Sequence, residues 1–259
     1  MSIVSPELAG ETPYIWRARQ PQSRHRLICF PHAGAGATAY AEWAALLPPE
    51  IELVAVQLPG RQDRIAEEPF SEVGPLVSVL THALRPVLGG SYSFFGHSCG
   101  AALAFELAKA LRAKGQTGPE HLFLSAQAAP GATGIRQLHN LSDDEFRDAM
   151  LTLGGIDEEI ANDEFVMDSL VPVLRADFSL WERHRTAPEA PLDCPITVLA
   201  GEEDPQAPKD SLDGWRDQTN AEFTLRFYSG GHFYFLDSPG IVVTAIAEKM
   251  LGAVAGRTA

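Results

Sequence analysis

Nothing in this chain approaches the roughly 18 consecutive apolar residues of a membrane span, and no charged-then-apolar leader opens it. A soluble, cytoplasmic protein is the expectation. Cysteine is scarce: Cys29, Cys99 and Cys194 are an odd number at irregular spacing, which reads as free thiols. Cys29 and Cys194 lie in or beside apolar strand-like runs and are expected as small buried hydrophobes, not ligands or redox centres. Positive charge is also in deficit, 20 Lys and Arg against 34 Asp and Glu, a net charge of −14. Nucleic acids and anionic membranes demand clustered basic residues, so both are excluded as partners. The groups that exist, Lys109, Arg112 and Lys114, then Arg183 and Arg185, are too few for a phosphate-tracking stripe and suit helix C-termini.

What the chain does have is 45% apolar residues in 259, enough for one sizeable core, so residues 1–259 are expected as one domain. Short apolar runs, RLICF, IELVAV, SYSFFG, HLFLSA, PITVLAG and EFTLRFYSG, read as strands of a buried sheet, with YIWRAR as an added edge strand. Between them, residues 38–47, 73–87, 98–114, 207–220 and 239–253 carry apolar residues at three and four spacing and predict helices. The alternation gives an α/β fold with a mostly parallel central sheet flanked by helices.

One connection is out of proportion, since about 65 residues separate the strand ending near Ala128 from the one starting near Pro195. The excess, residues 130–190, predicts a helical insertion. LSDDEFRDAMLTLGG opens with Ser142 and Glu145 in capping-box spacing and closes on Gly154 and Gly155. DEFVMDSLVPVLRADFSLWERH follows, with a kink expected at Pro172. Helices inserted over the strand ends of a parallel sheet would form a lid.

The chemistry centres on FFGHSCGAALAFELA, residues 94–108, where His97, Ser98 and Cys99 are neighbours. GHSCG fits G-x-S-x-G, with an apolar strand before it and a small-residue helix after it, the context of a nucleophile elbow. That context selects Ser98. A serine hydroxyl needs a base to take its proton, on a later loop and after an acid. His232, in YSGGHFYF, directly follows the last strand, with Gly230 and Gly231 beside it. The preceding strand end, PITVLAGEEDP, supplies Glu202, Glu203 and Asp204; Asp204, next to Pro205, is the chosen acid, with Asp177 in the insertion as an outside candidate. Carbonyl attack also needs an oxyanion hole, assigned to the backbone N–H groups of Cys99 and, in LICFPHAGAGA, of Ala33. The Cys99 thiol is then incidental, and His97 is expected to point away from the reacting oxygen. His32 is read either as a substrate-side residue or as a hydrogen-bonding partner within its loop.

Together FPHAGAGATAY, LPGRQDR, FFGHSCGAALAFELA, LSDDEFRDAMLTLGG, LVPVLRADFSLWE, AGEEDPQAP and GGHFYFLD resemble, in order and over nearly the whole chain, the external or type II thioesterases of polyketide and nonribosomal peptide assembly lines. G-x-S-x-G belongs to all α/β-hydrolases, whereas PHAGAG, LPGR and LRADF narrow the resemblance to this family. Cys99 stands where the family more often has Met or Leu. The resemblance implies an α/β-hydrolase fold with a helical lid and an editing hydrolase of antibiotic-type biosynthesis. Such an enzyme clears acyl groups from the phosphopantetheine arm of acyl or peptidyl carrier proteins, as a monomer and without a metal or other cofactor. Arg61 and Arg64 in LPGRQDR, or Arg183 and Arg185, are candidate contacts for a carrier. Met150, Phe165, Met167, Leu170 and Phe178 are candidate linings of an acyl channel.

Three rivals stand beside this reading. A carboxylesterase, lipase or peptidase would use the same three side chains on an oxygen ester or amide. GAGATA, residues 34–39, follows a strand and fits G-x-G-x-x-A of dinucleotide-binding oxidoreductases, but Gln57 ends the next strand where a ribose-binding acid belongs. A non-catalytic carrier-binding module is opposed by the complete Ser, Asp and His set.

Overall fold

A computed structural model describes residues 6–156, 158–161 and 163–255. Its strands are β1 Ala9–Thr12, β2 Ile15–Ala18, β3 His25–Phe30, β4 Ile51–Val56, β5 Ser91–His97, β6 Leu122–Ser125, β7 Ile196–Gly201 and β8 Phe223–Tyr228. They form one sheet in the order β1-β2-β4-β3-β5-β6-β7-β8. β1 and β2 run antiparallel to their neighbours, and all pairings from β4 to β8 are parallel.

A parallel sheet must be covered on both faces, and the strand sequences meet that need with apolar residues on each side of the pleat. Ile28, Phe30, Val54, Val56 and Phe94 point into one core, which α2 (Val73–Ala83) and α3 (Cys99–Ala113) cover. Leu27, Cys29, Leu53, Ala55 and Phe95, the alternate positions, point into a second core, closed by α1 (Trp43–Leu46) and α7 (Pro239–Ala255). Cys29 is buried and Cys194 half-buried, both as free thiols.

Three expectations are corrected. YIWRAR is not the edge strand: β2 lies one place in, because AGET pairs outside it as β1. Residues 207–220 are not an α-helix but two 3-10 segments, Lys209–Ser211 and Asp213–Gln218. Pro205 and Pro208 withhold N–H groups at its start, and the Trp215 indole is tied to the Gln127 carbonyl at 2.8 Å, so i to i+3 bonds prevail. Residues 38–47 likewise form a 3-10 turn, Ala37–Tyr40, and the single turn α1.

Between β6 and β7 lie α4 (Asp143–Leu153), α5 (Glu158–Ala161) and α6 (Glu164–Arg183). Ser142 and Glu145 form both halves of the capping box, and Gly154 ends α4 in the left-handed conformation. Asp163 caps α6 through the Val166 N–H. α6 remains helical through Pro172, which stands on its exposed face. Phe146, Met150, Leu153, Met167, Val171, Leu174 and Phe178 give these helices their own core, against which Ala33 and Phe233 pack.

Candidate active site

The site is built at the C-terminal ends of the parallel strands, where an open α/β sheet leaves its crevice. β5, between β3 and β6, delivers Ser98 to its tip with φ 54° and ψ −124°, a left-handed strain for a residue with a Cβ. Two glycines permit this turn. A Cβ on Gly96 would lie 2.1 Å from the Gly100 carbonyl oxygen, and one on Gly100 would lie 2.1 Å from the Phe30 carbonyl oxygen. The motif spacing is therefore a packing requirement: strand, turn and helix touch backbone to backbone, and the serine is left at the apex.

β7 and β8 bring in the other two side chains. The Glu202 N–H donates to the Tyr228 carbonyl at 2.9 Å and the Glu203 N–H to the Gly230 carbonyl at 3.0 Å, so the two exit loops run side by side. Asp204 is buried, while Glu202 and Glu203 are exposed. Asp204 Oδ2 lies 2.8 Å from His232 Nδ1, and its other oxygen accepts the Gln206 N–H at 2.8 Å. Held this way, His232 keeps its proton on Nδ1 and offers Nε2 as acceptor. Among the described residues no hydrogen bond joins His232 to Ser98 Oγ, but both side chains line the same two cavities. In unliganded enzymes this contact is commonly long and tightens in the complex.

Among the described residues, the N–H groups of Ala33 and Cys99 donate to no backbone carbonyl. Both border the space at Ser98, and the Cys99 N–H opens α3, whose dipole favours negative charge there. The Cys99 thiol is buried. Burial, then the carboxylates of Asp177 and Glu182, push it well above the ordinary thiol range, so no thiolate competes with the serine.

The larger cavity, about 520 Å³, runs from Ser98, Cys99 and His232 past Phe105, Trp181 and Trp215 to Arg136 and Arg185. A smaller one of about 30 Å³ lies beneath the inserted helices, lined by His32, Met150, Leu153, Leu174, Phe178 and Phe233. Of the expected channel residues, Met150 and Phe178 reach a cavity. Met167 and Leu170 belong to the packing of the inserted helices, and Phe165 is 87% exposed at the start of α6.

Other expectations change with the fold. His97, expected to point away from the reacting oxygen, has its ring centre 5.0 Å from that of His232 and its Nδ1 2.9 Å from Ser125 Oγ, itself 2.7 Å from the Tyr234 hydroxyl. Burial, then His232 and His32, hold the His97 imidazole well below its ordinary pKa. Among the described residues His32 makes no side-chain hydrogen bond; it meets Phe233 edge-on at 4.8 Å, and burial, His232 and Arg61 push it down to about 3. Arg61 and Arg64 are buried and engaged inside the protein, Arg64 with Glu67 and over the Tyr14 ring, so neither is a docking residue. Arg183 donates to His139, and Arg185 donates to the carbonyls of Glu182 and His184 at the cavity edge.

Asp177 is not the acid that holds His232. Its Oδ1 accepts from Arg61 Nη2 at 3.0 Å and its Oδ2 from the Gly34 N–H at 2.8 Å. Burial raises its carboxyl above the ordinary value, against the pull of Arg61 and of that N–H. Gln57 completes the support of this loop: its Oε1 accepts the Ala37 N–H at 2.6 Å, and its Nε2 donates to the Arg61 carbonyl and to Asp63. GAGATA runs into a 3-10 turn, Ala37–Tyr40, and the single turn α1, not the long helix whose N-terminus a dinucleotide's pyrophosphate needs, which removes that rival. Sequence reasoning missed the roles of Gln57 and Asp177; the one signal was a polar residue ending an otherwise apolar run.

A thioesterase domain family profile matches residues 25–250. The chain belongs to the thioesterase family. It is a hydrolase of acyl thioesters. The gramicidin S biosynthesis protein GrsT of Aneurinibacillus migulanus is 39% identical over 226 residues, 87% of this chain and 88% of that protein. Thioesterase PikA5 of Streptomyces venezuelae is 38% identical over 232 residues, 89% and 83% of the two chains. Among solved structures, the type II thioesterase BorB from the borrelidin biosynthetic cluster superposes with a TM-score of 0.84 at 37% identity, covering 93% of this chain and 99% of that one. The chain has the α/β-hydrolase fold.

Proposed function

We propose that this thioesterase releases acyl groups from the phosphopantetheine arm of acyl or peptidyl carrier proteins in polyketide or nonribosomal peptide synthesis, clearing units that stall the assembly line. Ser98 Oγ attacks the thioester carbonyl as its proton passes to His232, which Asp204 orients. The N–H groups of Ala33 and Cys99 hold the tetrahedral oxyanion, and His232 returns the proton to the departing thiol. Water, activated in turn by His232, then frees the acid and restores Ser98. Thioesters are activated acyl donors, so nucleophile, base and hole suffice without a cofactor. The observation that carries this reading is the buried 2.8 Å Asp204–His232 pair facing the cavity that Ser98 borders.

In the same reading the chain is a monomeric, cytoplasmic protein of one domain, with residues 130–190 as its lid. Among the described residues, no helix is long and apolar enough to cross a membrane. A carrier must dock locally, because the net charge of −14 repels an acidic partner at long range.

The test is a carrier loaded with acetyl, propionyl or malonyl groups, followed by intact mass with wild type and Ser98→Ala in parallel. The wild type releases the acyl groups and Ser98→Ala leaves them in place. Hydrolysis of simple oxygen esters alone, with every carrier still loaded, overturns the proposal in favour of an esterase.

A further inference from the structure

The oxyanion loop, residues 31–37, is held from two sides. From the sheet, Gln57 accepts the Ala37 N–H. From the inserted helices, Asp177 on α6 accepts the Gly34 N–H at 2.8 Å, one residue from the Ala33 N–H assigned to the hole. The carboxylate is anchored in turn by Arg61 Nη2 at 3.0 Å, and both side chains are buried. Gly34 has φ +73°, and a Cβ there would lie 2.6 Å from Leu174 Cδ2, so the peptide is pressed directly under α6. The Gly34 and Ala33 N–H groups belong to successive peptide planes hinged at the Ala33 Cα, so holding the Gly34 plane leaves only φ and ψ of Ala33 to set the direction of the other N–H.

We infer that Asp177 is a positioning residue of the oxyanion hole, and that the inserted helices thereby form part of the catalytic geometry instead of merely covering it. This rests on the assignment of the Ala33 N–H to the hole. Its consequence is that α6 cannot move off the site without releasing Gly34. A displaced lid then leaves Ser98, His232 and Asp204 in place but the hole incomplete, and acyl transfer waits for the lid to close on a substrate.

Removing Asp177 alone would leave Arg61 buried and unpaired, so the informative variant is Arg61→Met/Asp177→Leu, which replaces both charges by apolar side chains of similar size. Asp177→Asn serves as the second variant, since it keeps an acceptor and the shape. Each is compared with wild type for kcat and KM on an acetyl-pantetheine thioester. Binding is measured for two further ligands. One is a trifluoromethyl ketone, whose carbonyl carbon takes Ser98 Oγ while the serine proton moves to His232 and the carbonyl oxygen becomes the anion in the hole. The other is the matching thioether, which has no such oxygen.

For the double variant, kcat falls roughly 10- to 100-fold, less than outright loss of a donor, with KM within about twofold. Affinity for the ketone falls in proportion to kcat, thioether affinity is unchanged, and Asp177→Asn recovers part of both. Equal weakening of ketone and thioether, or loss only of the folded fraction, would overturn the inference and make the pair a structural tie. The underlying assignment fails separately: it is wrong if wild type itself binds the ketone no better than the thioether.

Discussion

His97, Ser98 and Cys99 differ in what burial does to each. The thiol is held protonated and the imidazole neutral, whereas the hydroxyl stands at a strained apex beside two N–H groups that donate to no backbone carbonyl among the described residues. The proposed mechanism also asks something specific of Asp204. Asp204→Asn keeps an oxygen for the Gln206 N–H but sets an amide against His232 Nδ1, favouring the tautomer whose Nε2 is already protonated. We expect kcat on a pantetheine thioester to fall roughly 10⁴-fold with little change in KM or in the circular dichroism spectrum, by analogy with the same exchange in serine proteases. A loss under tenfold would mean that another group orients the base. At this scale the sequence was informative where a residue's role depends on its near neighbours. Ser98 was legible from its glycines, and Asp204 from standing next to Pro205 at a strand exit. Arg61 and Arg64 were not, because a basic side chain on a polar stretch gives no sign of being buried, Arg61 against a partner 116 residues away and Arg64 over the Tyr14 ring.

At the scale of elements, the inserted helices are only partly joined to the sheet. They have their own small core and reach the site through Asp177, Ala33 and Phe233. Helices of this kind depend on their caps more than helices sunk in the main core do. Ser142→Ala removes the acceptor for the Glu145 N–H and costs about 1 kcal/mol. Hydrogen exchange of the α4 amides should quicken about fivefold while the β3–β7 amides keep their protection. Uniform quickening across the sheet would instead show that the insertion unfolds only with the whole protein. The capping box was readable because it is a four-residue pattern, and so were α3 and α7, whose apolar stripes are long. The 207–220 segment shows the opposite case: its Leu212 and Trp215 fit helical spacing, yet prolines and a single indole anchor to the Gln127 carbonyl decide the local hydrogen bonding.

The whole molecule responds to acid through its buried imidazoles. His32 is pushed down to about 3 and His121 to about 4 from an ordinary 6.5, and His97 is lowered as well, burial being the first cause for each. Because the folded values are depressed, the unfolded chain binds more protons below pH 6.5. The stability these groups contribute is complete above that pH and is lost as the pH falls toward the folded values. The urea midpoint of wild type should therefore decline between pH 7 and pH 4.5. His121, whose Nε2 lies 2.8 Å from Thr197 Oγ1 and whose ring stacks on Phe123, offers a site remote from Ser98 for checking the source. His121→Gln should flatten the decline by about 2–3 kcal/mol over that range, and an unchanged slope would assign the acid response elsewhere.

Taken alone, the sequence determined the strand and helix alternation, the elbow at Ser98, the loop carrying His232 and the presence of helices between β6 and β7. Each of these is written in short-range terms: apolar period, glycines that let backbones touch, caps and turn residues. Tertiary structure decided what long-range contact alone can decide. It placed Phe165 in solvent, set His97 beside the His232 ring, buried Arg61, and joined Gly34 to Asp177 across 143 residues of chain. The physical reason is that a side chain's charge, exposure and partner depend on what the fold brings within a few ångströms of it, and no local pattern records that.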